Sequence, residues 1–137
     1  MQSRLLIPIL LILLLIDVPA RAEEESLRSV RQLTNEIYRL SLDMITHGSE
    51  GHHHEIVSYG QEMIRRSEAL IQEVESSPSP KIKEKKETLL ASIKATLNKA
   101  KEAVRLGEEE KTDPALDASR KASFRAKQLR QQIQSLK

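Results

Sequence analysis

Residues Ile56–Val74, IVSYGQEMIRRSEALIQEV, carry two apolar rows, Ile56, Met63, Leu70 and Val57, Ile64, Ile71, each repeating every seven residues. Rows of that period lie side by side on one face of an α-helix, so this is an amphipathic helix whose broad apolar face needs a partner. Gly60 sits inside the face at a cost of about 1 kcal/mol relative to alanine, which points to a neighbouring helix passing close by. The spacing predicts a helix from about His52 to Val74.

The same pattern extends in both directions. Upstream, Val30, Leu33, Ile37, Leu40 and Met44 recur at spacings of three and four, predicting a helix over Glu23–His47. Glu23, Glu24 and Glu25 complement the positive end of its dipole, and Gly48 is placed as a left-handed C-terminal cap. Downstream, Ser76-Ser77-Pro78-Ser79-Pro80 cannot continue a helix, and Pro80 can open the next one. That helix buries Ile82, Leu89, Leu90, Ile93, Leu97, Ala100 and Val104, with Gly107 after Leu106 in the role of Gly48. A fourth helix is expected to start at Asp113 as N-cap with Pro114 first inside it, and to run to the C-terminus. Its face of Ala115, Ala122, Ala126, Leu129, Ile133 and Leu136 is narrow near the turn, where the bundle should taper.

Four helices joined by short turns imply an all-α, up-down-up-down four-helix bundle. Two hairpins, residues 23–75 and 81–137, flank a linker at 76–80, and neither hairpin alone could bury its apolar faces. Residues 1–22 are expected to be a cleaved signal peptide. Arg4 supplies the charged start, Leu5 to Ile16 the apolar stretch, and Ala20-Arg21-Ala22 a small-x-small cleavage site. The apolar run stops at Asp17, short of the ~20 residues a membrane span needs, so no stable anchor is expected after cleavage. The chain has no cysteine, hence no disulfide and no lipidated N-terminal Cys. A periplasmic or secreted location follows.

Only Phe124, Tyr38 and Tyr59 are aromatic, which leaves little for base stacking and argues against nucleic acid as a partner. The halves of the chain are electrically opposite. Residues 23–80 hold 5 Lys and Arg against 11 Asp and Glu, a net −6, and residues 81–137 hold 15 against 8, a net +7. Opposed fields favour docking of one half on the other, self-association, or a protein partner.

All four histidines, His47, His52, His53 and His54, fall within eight residues that join the first two helices. Neutral imidazole is a common ligand for late first-row divalent metals. Successive helical residues project about 100° apart, so at most two of His52, His53 and His54 can join His47 on one ion, with Glu50 or Glu55 as an oxygen ligand. Such a set suits copper, nickel or zinc. Solvated histidines at a polar turn, with His47 complementing a helix C-terminus, are the structural alternative.

The turn His47-Gly48-Ser49-Glu50-Gly51-His52, between long helices after a signal peptide, resembles that of the bacterial small metal-binding proteins. These are periplasmic four-helix bundles with repeated His-Ala units and His-Gly-x-x-Gly-His turns. The resemblance implies binding of copper, nickel and related divalent ions. Leu106-Gly107-Glu108-Glu109-Glu110-Lys111 looks like a second copy of the turn with its outer histidines replaced. Leu40, Tyr59 and Arg66 stand where helix histidines would be. The likeness therefore implies one site at most, at the first turn.

Other readings are weaker. There is no Cys-x-x-Cys-His motif and no histidine in the fourth helix, so haem is not expected. Ser49 and Ser58 lie near histidines but lack an orienting third group, so no enzyme is expected. The alternative to metal binding is a structural or interaction module using the charged hairpins, with a basic surface of Lys81, Lys83, Lys85, Lys86, Arg120 and Arg125 meeting an acidic partner or an anionic membrane.

Overall fold

In the computed structural model the backbone is described from Leu6 and the side chains from Pro19, both through Lys137. The apolar stretch of the expected signal peptide lies outside the described side chains. The described residues form four helices and no strand: α1 Leu6–Ser49, α2 His53–Ser76, α3 Pro80–Glu108 and α4 Thr112–Gln134. Each helix packs on the next and α1 closes against α4, while α2 and α4 touch little across the diagonal. That is the square cross-section of a four-helix bundle with sequential helices as neighbours.

The heptad rows account for the core. In α2, Ile56, Met63 and Leu70 are fully buried, whereas Val57, Ile64 and Ile71 are half-buried and seal the flank. Val30, Ile37 and Met44 of α1, Ile82, Leu89 and Ile93 of α3, and Leu129 and Ile133 of α4 join the same cluster. Ala115, Ala118, Ala122 and Ala126 line the buried side of α4 toward its start. The close contact expected at Gly60 is with α3: a methyl group there would stand 2.5 Å from Val104 Cγ2.

At the linker end, Ser26 and Ser77 share a buried hydroxyl hydrogen bond of 2.6 Å, and the Ser79 N–H donates to Ser77 Oγ at 3.2 Å. Ser79 precedes α3 and Pro80 is its first residue, as expected from a ring that fixes φ and lacks an N–H.

Four boundaries differ from the sequence reading. α1 continues upstream of Glu23, and Pro19 lies within it. Gly48 and Gly107 are helical; the residues with positive φ are Gly51 (84°) and Glu110 (58°), three positions later. Gly48 and Gly107 are needed small for packing instead. A methyl on Gly48 would meet Ile56 Cδ1 at 2.8 Å and Leu116 Cδ1 at 3.0 Å, and one on Gly107 would meet Val57 Cγ2 at 2.8 Å. Finally, the N-cap of α4 is Lys111, not Asp113. The preceding turn ends at Lys111, whose carbonyl already accepts from the Ala115 N–H at 2.9 Å. Pro114 is tolerated because first-turn N–H groups have no helical acceptor anyway.

Candidate metal site at the first turn

Both turns at this end of the bundle have one backbone design. The His52 N–H donates to the His47 carbonyl at 3.0 Å and the Gly51 N–H to the Gly48 carbonyl at 3.1 Å. In the second turn, Lys111 donates to Leu106 at 2.9 Å and Glu110 to Gly107 at 3.0 Å. This pair of bonds, six-to-one and five-to-two, closed by a residue in the left-handed region, is the Schellman motif. It brings together the side chains five residues apart at its two ends, positions usually held by an apolar pair. Here those positions are His47 and His52.

Their rings stack with centroids 6.3 Å apart and an interplanar angle of 25°. Tyr59 of α2 also stacks on His47, at 5.2 Å and 18°. The His47 imidazole thus stacks with two rings, and its Nδ1 is in direct contact with Glu55 Oε2. Glu55 lies three residues after His52, and its Oε2 is 3.4 Å from His52 Nδ1. Glu50, on the turn itself, places Oε2 at 3.4 Å from His52 Nδ1 and 3.7 Å from His47 Nδ1. Donor atoms of His47, Glu50 and His52 all lie within 4.8 Å of one another.

The separations among His47, Glu50 and His52 suit a single small cation. Ligand atoms bound at about 2.0–2.2 Å in a tetrahedral shell sit about 3.3–3.6 Å apart. The donors are two imidazole nitrogens and two carboxylate oxygens, a borderline set suited to divalent copper, nickel or zinc. His47 Nδ1 and Glu55 Oε2 are buried atoms in contact with each other, although both residues expose other atoms to solvent. Buried polar atoms are normally satisfied, here by each other or by a cation held between them.

Of the six residues singled out from the sequence, the turn gathers His47, His52, Glu50 and Glu55. His53 and His54 stand apart, their rings packed on each other with centroids 4.0 Å apart. His53 is half-buried with an unpartnered Nε2, and its carbonyl lies beside Gly107; His54 is exposed. They begin α2, and helical phase turns them away from His52. The stacking of Tyr59 was not anticipated, although its position four residues after Glu55 places the two on one face of α2.

The second turn takes Glu109 out of play. Glu109 Oε1 meets Arg105 and Oε2 meets Lys111, each at 2.6 Å. Hydrogen bonds from Lys111 and then Arg105 hold the Glu109 carboxyl below its usual range. With Leu106 and Lys111 at the paired ends, this copy has no imidazole.

No protein-family model, curated protein or solved structure matches the chain.

Proposed function

We propose that this is a small exported protein that binds one divalent transition-metal ion, copper, nickel or zinc, at the first inter-helix turn. His47 and His52 supply imidazole nitrogen through Nδ1, and Glu50 and Glu55 supply oxygen. The observation that carries the reading is the convergence of His47, Glu50 and His52 at ligand-to-ligand spacing, with Glu55 in contact with His47 and 3.4 Å from His52 Nδ1. The resemblance of the turn to those of the small metal-binding proteins points the same way.

The role follows from the scaffold. The Schellman bonds set the distance between the two imidazoles before any ion arrives, so little ordering entropy opposes binding. The half-exposed site lets an ion enter and leave, which suits capture or buffering more than a permanent structural metal. No catalytic role is proposed. The signal-like start supports export, and no helix among the described residues is long and apolar enough to cross a membrane.

Calorimetric titration of the protein with Cu(II), Ni(II) and Zn(II) tests the reading. One ion per chain is expected, with binding strongly weakened in His47→Ala and His52→Ala and retained in His54→Ala. Equal binding by all four proteins, or none in the parent, would refute it.

A further inference from the structure

Leu42 on α1 and Phe124 on α4 are the exposed large hydrophobic side chains among the described residues, at 41% and 60% exposure. They occupy one height on neighbouring antiparallel helices. On one side of them Arg130 donates to Asn35 Oδ1 at 2.9 Å and lies over the Tyr38 ring; on the other, Gly48 packs against Leu116. Leu42 falls between Asn35 and Gly48, and Phe124 between Leu116 and Arg130, near the middle of each interval. Leu42 also shares a seven-residue row with Asn35, which places it on the flank of α1 that meets α4.

Cations surround the pair. Arg39 lies one turn before Leu42, and Arg120 and Lys127 lie one turn before and after Phe124, all exposed. None of the three is in an ion pair among the described residues. Arg31, bonded to the Leu136 carbonyl at 2.8 Å, and Arg130 extend the same face. Of the nearby carboxylates, Asp117 is held by Lys121 at 2.8 Å, and Asp43 shares the row of Glu36, which faces α2 and pairs there with Arg66.

We infer that this α1/α4 face docks on an anionic lipid surface, with Phe124 and Leu42 entering the interface and Arg39, Arg120 and Lys127 meeting headgroup phosphates. A basic helix face carrying exposed aromatic and aliphatic residues has the chemistry of an interfacial contact. A second copy fits less well. Two such faces would oppose like charges, and elsewhere the described surface offers no exposed large apolar side chain to receive Phe124.

The chain has no tryptophan, so Phe124→Trp makes a single reporter at the centre of the face. Its emission should shift to the blue with phosphatidylglycerol vesicles, stay unchanged with phosphatidylcholine vesicles, and return in high salt. Adding Arg120→Glu and Lys127→Glu should abolish the shift while circular dichroism keeps its helical signal. No shift with phosphatidylglycerol, an equal shift with phosphatidylcholine, or a lipid-free shift that grows with protein concentration would overturn the inference, the last in favour of self-association. A shift seen only with poly-glutamate would overturn it in favour of an acidic protein partner.

Discussion

The backbone N–H of His52 donates to the carbonyl of His47 at 3.0 Å, and that bond places two imidazoles side by side at the end of a helix. Helical periodicity would not pair residues five apart; the reversal of the chain at Gly51, with φ of 84°, does.

Loss of either histidine should therefore cost most of the metal affinity. His47→Ala or His52→Ala is expected to weaken binding on the order of 100-fold, about 2.7 kcal/mol, and Glu55→Gln by a smaller factor. Affinity should also fall toward pH 5, because protons compete for imidazole nitrogen. Titration calorimetry of each variant at two pH values measures both effects.

Metal should stabilise the fold as well as occupy the turn. At an ion concentration about 100 times Kd the gain is about 2.7 kcal/mol, reversed by chelator and absent in His52→Ala. Thermal unfolding with and without Zn(II) is the check. Because Tyr59 stacks on His47, Cu(II) should also quench tyrosine emission, and Tyr59→Phe should lose most of that quenching while retaining binding.

The two turns differ in the residue that takes positive φ, Gly51 in one and Glu110 in the other. A side chain in that conformation costs about 1–2 kcal/mol. Glu110→Gly is expected to stabilise the protein by about 1 kcal/mol, and Gly51→Ala to destabilise it by a similar amount. Urea denaturation with unchanged m-values would measure both.

Gly60→Ala sets helix propensity against packing. Propensity favours alanine by about 1 kcal/mol. The new methyl, however, would stand 2.5 Å from Val104 Cγ2, so net destabilisation is expected. Val104→Ala should relieve part of the loss, and a double-mutant cycle on unfolding free energies would reveal the coupling.

Glu62 gives the bundle a measurable acid response. The Arg65 hydrogen bond, then the charges of Arg65 and Arg66, hold its carboxyl below the ordinary value of 4.5. A lowered folded-state pKa contributes stability that is present above the unfolded value and lost as pH falls through the folded one. Glu62→Gln should flatten the stability profile below about pH 4.5, by no more than about 1 kcal/mol because the pair is open to solvent. Urea midpoints between pH 3 and pH 6 would show the difference.

The helices and their buried faces were legible in the sequence because burial follows a local rule, an apolar residue every three or four positions. Ile56, Met63, Leu70 and the alanines of α4 needed nothing more. Gathering of histidines at one turn was equally plain, as was the limit of one or two partners for His47. Which glycine would reverse the chain was not, because Gly48 and Gly51 are equivalent in local propensity. Ile56 of the next helix and Leu116 of the last claim the space beside Gly48, which packs there as part of α1. The same packing shifts the reversal to Gly51, selects His52 over His53 and His54, and sets Glu55 and Tyr59 around His47. Sequence determined the elements and their faces through local periodicity; the tertiary structure decided where the turn closes and which side chains meet in it, because those depend on contacts between helices.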